Sequence, residues 1–162
     1  MSEPHEYVFF TDRDLGKQFP EILLNAGIHV ERHCDHFADD AKDEDWLREI
    51  SKRGWLVLTH DQRMRYRPNE IAAIREFKIG LFVIIGKAPF AELARNFVNT
   101  LPQIVKFVDE HPRPFVAKVY RSNPKKSQKK MQPPGQIKKW LPLVELWVSP
   151  RKNGTTSNSQ PP

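Results

Sequence analysis

Short apolar runs alternate with longer, periodic segments between residues 7 and 110 of the chain. The runs cover residues 7–10, 55–58 and 81–85, and a shorter candidate covers residues 28–30. Aromatic and β-branched residues are frequent in them, which is typical of short strands buried on both faces. The pattern therefore predicts four strands in this part of the chain.

The segments between these runs have the period of amphipathic helices, with apolar residues three or four positions apart. The apolar stripes are formed by Phe19, Ile22, Leu23 and Ala26, then by Trp46, Leu47 and Ile50, and then by Ile71, Ile74 and Phe77. Gly27 and Gly54 follow the first two helices, as glycine often does at a helix C-terminus. A fourth helix is predicted over residues 89–110, where we expect Pro102 to kink or restart it.

The alternation of strands and helices predicts an α/β fold with a parallel sheet covered on both faces. The pattern changes after residue 110. Residues 114–120 and 143–148 are predicted to be two strands, arranged as an antiparallel pair at the sheet edge. The lysine-rich segment 122–139 is predicted to be mobile, and residues 154–162 lack apolar side chains and are predicted to be disordered.

The charged residues are divided unevenly along the 162-residue chain, whose formal net charge is +6. Residues 111–162 contain eleven Lys or Arg and one acid, whereas residues 1–110 contain fifteen basic and nineteen acidic residues. A basic surface attracts phosphate backbones through counterion release. An acidic cluster repels them unless it holds a divalent cation, so the combination favours a metal-using nuclease.

The composition is typical of a cytoplasmic protein. The single cysteine, Cys34, excludes an intramolecular disulfide and fits a reducing compartment. No apolar run approaches the ~20 residues that span a bilayer, so we expect no membrane partner. The polar residues 1–6 do not have the pattern of a signal peptide.

Three acidic positions lie at one edge of the predicted sheet. Asp12 follows the first strand, Asp61 follows the strand at residues 55–58, and Asp43 with Glu44 begins the helix that leads into that strand. In parallel α/β sheets, ligands bind beyond the carboxyl ends of the strands. A hard cation such as Mg²⁺ or Mn²⁺ prefers oxygen ligands and would explain crowded carboxylates. The alternative is that each Asp only caps a helix.

Three motifs resemble those of PIN-like domains related to the VapC toxins: FFTDRDLG at residues 9–16, DEDWL at residues 43–47 and VLTHD at residues 57–61. That family shows an Asp after its first strand, an acid at the start of a middle helix and a T-x-D after a later strand. The resemblance implies a three-layer α/β/α sandwich and Mg²⁺- or Mn²⁺-dependent hydrolysis of RNA, leaving 5′-phosphate and 3′-hydroxyl ends.

The same resemblance implies a division of the chain and a set of partners. Residues 1–110 would form the PIN-like nuclease domain, residues 111–150 a basic C-terminal β extension, and residues 151–162 a disordered tail. Many relatives are toxins of bacterial toxin–antitoxin pairs, so an antitoxin protein is an expected partner beside the RNA substrate. A homodimer is left open, as is DNA in place of RNA.

The resemblance assigns three carboxylates to metal binding and catalysis: Asp12, Asp43 and Asp61. Glu44 is the alternative to Asp43, and Asp14 is either a further ligand or the cap of the first helix. Many PIN domains place a fourth acid shortly after the T-x-D element, whereas here the nearest acid is Glu70. The number of metal ions is therefore open.

Substrate contacts are predicted beside the acids and in the lysine pairs of the last third of the chain. The candidates are Arg13, Thr59, His60, Arg63, Lys125, Lys126, Lys129 and Lys130. Thr59 either orients Asp61 or touches a phosphate. The arginines that follow Asp61, namely Arg63, Arg65 and Arg67, are candidate phosphate contacts. The lysines bind nucleic acid or an acidic partner, or else form a solvated tail.

Two other protein classes compete with a nuclease. A phosphoacceptor receiver domain also places acids after strands, and Lys87 is available to it, but residues 81–86 lack the Ser or Thr that it needs. The other class is a nucleic-acid-binding protein with weak catalysis. A zinc site at His33 and His36 is a further alternative, although a second pair of ligands is missing.

Overall fold

The computed structural model of the chain describes residues 7–61, 63, 67–121 and 135–139. The strands are β1 (Phe9–Thr11), β2 (Val30–Arg32), β3 (Leu56–Thr59), β4 (Gly80–Ile84), β5 (Phe115–Tyr120) and β6 (Gln136–Lys139). The helices are α1 (Gln18–Asn25), α2 (His33–His36), α3 (Asp43–Arg53), α4 (Pro68–Glu76) and α5 (Phe90–Glu110). A short 3₁₀ turn, Arg13–Leu15, lies between β1 and α1.

The described strands form one sheet in the order β2-β1-β3-β4-β5-β6, and only the β5–β6 pair is antiparallel. β1 pairs with β2 on one side and with β3 on the other. The chain therefore adds β2 on one side of β1 and adds the later strands, from β3 onward, on the other side. Loops that follow the strands at such a switch point diverge and leave a crevice at the carboxyl edge.

Alternate residues of each strand enter two separate cores. Phe9 packs with α1 and α5, whereas the next residue, Phe10, packs with α3 and α4. In β3, Leu56 and Leu58 share the core of Phe9, and Val57 shares the core of Phe10. Every residue of β1, β3 and β4 is buried. The sheet is thus covered on both faces, and the predicted three-layer α/β/α sandwich is confirmed.

The charges and the glycine of α3 explain where this helix begins and ends. Its first turn contains three acids, which interact favourably with the positive end of the helix dipole. Gly54 ends the helix with a φ of 71°, a left-handed conformation that glycine adopts without strain. The apolar face predicted from the sequence, Trp46, Leu47 and Ile50, is fully buried.

Of the two effects predicted for Pro102, a restart of the helix is wrong, because α5 runs unbroken past this residue and is held by buried residues on both sides, Phe97 and Ile104. Residues His33–His36 form α2, a single helical turn. The predicted strand at residues 28–30 exists, but it begins at Val30.

The C-terminal part of the described chain extends the main sheet. β5, the strand predicted at residues 114–120, pairs parallel with β4 and belongs to an antiparallel pair at the sheet edge, as the sequence indicated. Its antiparallel partner is β6, in a segment predicted to be mobile. Gly135 is tied to α5 because its backbone N–H donates to the hydroxyl of Thr100 at 2.8 Å.

Several predictions concern residues outside the described part of the chain. They are the strand at residues 143–148, the disordered tail and the roles of Lys125, Lys126, Lys129 and Lys130. The domain bounds at residues 110 and 150 also stay a prediction. Among the described helices, none combines the length and the apolar character needed to cross a membrane.

Candidate active site

A pocket of about 410 Å³ lies beyond the carboxyl ends of the strands, beside the switch point. Its lining consists of four acids and two arginines: Asp12, Asp14, Asp43, Asp61, Arg13 and Arg67. Asp12 follows β1, Asp43 begins α3 and Asp61 lies just beyond β3. The three segments that the sequence predicted to meet at this edge therefore do meet.

Asp12 is the most buried acid of the pocket, with 8% of its surface exposed. Its Oδ1 accepts a hydrogen bond from the backbone N–H of Arg13 at 2.7 Å, so it does cap the 3₁₀ turn. Its Oδ2 accepts from the hydroxyl of Thr59 at 3.0 Å. Burial, and after it the charge of Asp14, raises the pKa of Asp12 to about 7. A cap needs no buried carboxylate, and burial disfavours the charged form of Asp12. Capping alone therefore does not explain why Asp12 lies here.

Asp14 joins the pocket and does not cap α1, so the interpretation as a helix cap is wrong. Lys17 occupies the N-cap of α1, and the 3₁₀ turn carries Asp14 toward the end of β3. There its Oδ2 accepts from the backbone N–H of His60 at 3.1 Å and from the hydroxyl of Thr59 at 3.2 Å. Burial raises the pKa of Asp14, although these hydrogen bonds oppose the shift.

Thr59 is the central hydrogen-bonding group of the site. It is fully buried at the end of β3, and its hydroxyl reaches both Asp12 and Asp14. The same oxygen accepts from the backbone N–H of Asp61 at 3.1 Å. Of the two roles considered for Thr59, the geometry favours orienting carboxylates over touching a phosphate.

His60 is turned away from the pocket. Its Nδ1 lies 2.8 Å from the carbonyl oxygen of Ile84, and its ring packs edge-on against Phe90. The imidazole does not line the carboxylate pocket. Its backbone N–H contributes to the site instead, through the hydrogen bond to Asp14.

Asp43, rather than Glu44, lines the pocket. The indole N–H of Trp46 donates to Oδ1 of Asp43 at 3.0 Å and fixes the side chain at the start of α3. Its Oδ2 lies 3.5 Å from Nη1 of Arg67. Because Trp46 is fully buried in the core, the position of the middle carboxylate depends on the packing of α3.

Arg67 holds the other side of the pocket, a role that the sequence did not reveal. Its Nη2 donates to Oδ2 of Asp61 at 2.6 Å, and its Nη1 donates to Oε1 of Glu70 at 2.7 Å. Glu70 is 7% exposed and lies in the first turn of α4. The i, i+3 spacing of Arg67 and Glu70 at a helix start is the one signal that could have indicated this pairing.

Asp61 therefore has surroundings opposite to those of Asp12. Partial burial alone would raise its pKa. The hydrogen bonds from Arg63 and Arg67 and the charges of both arginines outweigh this effect, so the pKa of Asp61 is lowered. Arg63 donates from its backbone N–H at 3.0 Å, and its side chain is mostly exposed.

The chemistry of this donor set fits a hard divalent cation, because the four acids offer only oxygen atoms. Asp12 and Asp14 have no Lys or Arg partner among the described residues, whereas Asp43 and Asp61 face Arg67. In the described part of the chain, no three His, Cys, Asp or Glu side chains are already placed to hold a metal ion. The carboxylates thus line one pocket, but they are not drawn together as the ligands of a bound cation would be.

The structure gives the zinc alternative no support. The ring of His33 is buried among Phe10, Phe37 and Trp46, and both of its nitrogens lack a hydrogen-bond partner among the described residues. His36 lies 2.7 Å from a carboxylate oxygen of Glu31. The nitrogens of the two histidines therefore do not share a polar partner in the described part of the chain.

A second pocket of about 430 Å³ adjoins the first and shares Asp12 and Arg13 with it. Its other lining residues are Thr11, Gly16, Lys17, Arg32, His33, Cys34 and Asp39. Three basic residues, Arg13, Lys17 and Arg32, outnumber the two acids in this lining, although Arg32 also pairs with Asp35 at 3.0 Å. A polyanion that reached the carboxylates would find positive charge beside them.

Fold and pocket together define a class: an α/β/α protein with carboxylates at the switch point of a parallel sheet. A family model described as a PIN-like domain matches residues 7–86, which include all four acids and Arg67. The match supports a PIN-like domain in this part of the chain. Such domains are generally nucleases that use a divalent metal ion, and the match does not extend to the VapC toxins. A search of the curated proteins and a search of the solved structures each found no match.

The opposite surroundings of Asp12 and Asp61 predict opposite effects of neutralising them. The folded-state pKa of Asp12, about 7, lies above its ordinary value of 3.8, so Asp12 favours folding below pH 4 and loses that contribution as the pH rises through 7. In EDTA at pH 8, Asp12→Asn should raise the free energy of unfolding in urea. The largest increase expected in this free energy is about 4 kcal/mol, because each unit of difference between the folded and unfolded pKa corresponds to about 1.4 kcal/mol. The gain should vanish at pH 4.

Asp61→Asn is the matched comparison. Because the folded-state pKa of Asp61 is lowered, its contribution to stability is present above the unfolded pKa and is lost as the pH falls through the folded one. This variant should therefore be less stable than the parent at pH 8, and the difference should shrink toward pH 3. Equal responses of the two variants to pH would contradict the assigned surroundings.

Proposed function

We propose that this protein is a metal-dependent endoribonuclease that hydrolyses RNA phosphodiester bonds at the pocket of Asp12, Asp43 and Asp61. One observation carries the proposal: three chain segments bring four carboxylates to the switch point of a PIN-like fold, and two of them, Asp12 and Asp14, have no basic partner among the residues that the structure describes. The buried acid Asp12 works against folding at neutral pH, which is typical of a residue kept for function.

The expected cofactor is Mg²⁺ or Mn²⁺. Asp12 and Asp43 are its proposed ligands, with Asp14 beside them and Asp61 as the ligand that Arg67 also holds. A bound divalent cation lowers the pKa of water and offsets negative charge on a phosphate. The chain's own contribution is positioning, because Thr59 orients Asp12 and Asp14 while Trp46 orients Asp43.

RNA binding is proposed for the basic pocket that adjoins the carboxylates. Arg13 borders both pockets, and Lys17 is exposed at the rim of the second one. Their charges suit a phosphate backbone that continues past the carboxylates. The four lysines at residues 125–130 would add affinity from outside the described part of the chain.

A toxin role in a toxin–antitoxin pair belongs to this proposal and rests on the resemblance of the three motifs alone. An antitoxin would then be the protein partner, and the cytoplasm the compartment. A receiver domain would instead accept phosphate from a small donor and leave RNA intact. The nuclease assay below distinguishes these classes.

The parent protein should cleave single-stranded RNA in Mn²⁺ or Mg²⁺ and should not cleave it in EDTA. Asp12→Asn and Asp43→Asn should each lower the cleavage rate at least about 100-fold, because each removes a proposed metal ligand. The measurement is the initial rate on end-labelled RNA, followed by identification of the product ends. A parallel reaction with DNA of the same sequence tests the choice of substrate.

Asp45→Asn is the matched control for Asp43→Asn. Asp45 lies in the same first turn of α3 but pairs with Arg48 on the exposed side of the helix. This variant should cleave RNA at the parental rate. The proposal would be contradicted if the parent cut equally well in EDTA, or if Asp45→Asn lost as much activity as Asp43→Asn.

The double variant Arg13→Gln/Lys17→Gln should bind RNA more weakly and with a smaller dependence on salt. Removing two phosphate contacts should reduce the slope of log affinity against log salt by roughly 1.4, at ~0.7 per contact on a single strand. The measurement is fluorescence anisotropy in EDTA, where cleavage is not expected. Lys52→Gln, at the other end of α3, should leave the slope unchanged. An unchanged slope in the double variant would remove the second pocket from the binding surface.

A further inference from the structure

Arg67 places a fixed positive charge among the acids of the pocket. Its guanidinium lies 2.6 Å from Asp61, 2.7 Å from Glu70 and 3.5 Å from Asp43. A guanidinium has five N–H donors in a planar fork and stays charged at any relevant pH, so one side chain can hold several carboxylates. Two of these three acids, Asp43 and Asp61, are proposed metal ligands.

The network extends further than anchoring the start of α4 requires. A single pair with Glu70, in the first turn of the helix, would give Arg67 a partner and would compensate that buried acid. The contacts with Asp61 and Asp43 reach across to the loop after β3 and to the start of α3. The guanidinium therefore lies between acids of three segments, a position in which a cation binds.

The opposite end of the pocket, at Asp12 and Asp14, has no such ion pair in the described part of the chain, although Arg13 also lines the pocket. Asp12 and Asp14 accept hydrogen bonds from Thr59 and from backbone N–H groups, and no described Lys or Arg pairs with either of them. The pocket thus has one end whose acids already hold a cation and one end whose acids do not. A divalent ion would therefore compete with a paired arginine at the end that Arg67 occupies.

We propose that Arg67 is an internal counter-cation that competes with divalent metal for Asp43 and Asp61 and limits the pocket to one ion, which is held by Asp12 and Asp14 and for which Asp43 is shared with Arg67. Residues 62–69 contain no acid, so the sequence adds no carboxylate directly after Asp61. The proposal rests on the metal site of the proposed function but not on RNA cleavage.

The test is a titration with Mn²⁺ by isothermal calorimetry, with free Mn²⁺ measured independently by electron paramagnetic resonance. The parent should bind one Mn²⁺ per chain. Arg67→Gln should bind its first Mn²⁺ at least about 10-fold more tightly, because the competing charge is gone, and should gain a second, weaker Mn²⁺. Arg67→Lys keeps a charge but loses the planar fork, so its Mn²⁺ affinity should lie between those of the parent and of Arg67→Gln. It replaces Arg67→Gln in the test if that variant does not fold in EDTA.

Arg63→Gln is the matched control, because among the described residues the Arg63 side chain pairs only with Asp61, at 3.5 Å, and it is 82% exposed. Its Mn²⁺ affinity should stay within about 3-fold of the parent, as expected for an exposed pair. The proposal is overturned if Arg67→Gln and Arg67→Lys bind Mn²⁺ no more tightly than the parent, if the parent already binds two ions, or if no variant binds Mn²⁺. RNA cleavage does not enter the titration, so a failure of the nuclease proposal and a failure of this one are told apart.

Discussion

The hydrogen bond from the Thr59 hydroxyl to Asp12 joins the ends of β1 and β3, and the geometry of the pocket depends on it. The two strands pair in parallel, and the backbone N–H of Asp12 continues this ladder to the carbonyl oxygen of Leu58 at 2.9 Å. The sheet thereby sets the distance between Asp12 and the loop of Asp61. The buried hydroxyl oxygen of Thr59 is within hydrogen-bonding distance of Asp12, Asp14 and the backbone N–H of Asp61, and so holds all three near the end of β3.

The charge balance of the pocket follows from this arrangement. A parallel sheet with a switch point creates a crevice whose walls come from separate loops, so acids distant in sequence are brought together. Like charges in partly buried surroundings raise one another's pKa unless a cation compensates them. Arg67 provides compensation on the side of Asp43 and Asp61. The side of Asp12 and Asp14 is left to an external cation, which the proposed cofactor supplies.

Much of the fold could be predicted because local patterns encode it. Wholly apolar strands such as Leu56–Thr59 are buried on both faces, and the spacing of Trp46, Leu47 and Ile50 fixes the inner face of α3. The positions of the acids after strands and at a helix start were likewise sufficient to place them at one edge. No local pattern encodes β6, whose residues Gln136–Lys139 read as polar chain and become a strand by pairing with β5.

The parts of the site that were missed depend on contacts between segments. Asp14 looks like a helix cap in the sequence, and only the 3₁₀ turn directs it toward Thr59. Arg67 looks like one of several loop arginines, and its role arises from the spatial proximity of Asp43 and Asp61. His33 appears in a polar segment, yet its ring is buried against Phe10 and Trp46. Periodicity and composition contain no information on such pairings.

The central claim is that this carboxylate pocket is a divalent-cation site. The most direct test is a crystal structure of the protein soaked in Mn²⁺, with the ion located by its anomalous scattering. The account predicts one Mn²⁺ per chain, coordinated by carboxylate oxygens of Asp12 and at least one of Asp14 and Asp43. Anomalous density elsewhere on the molecule, with none at Asp12, would contradict it.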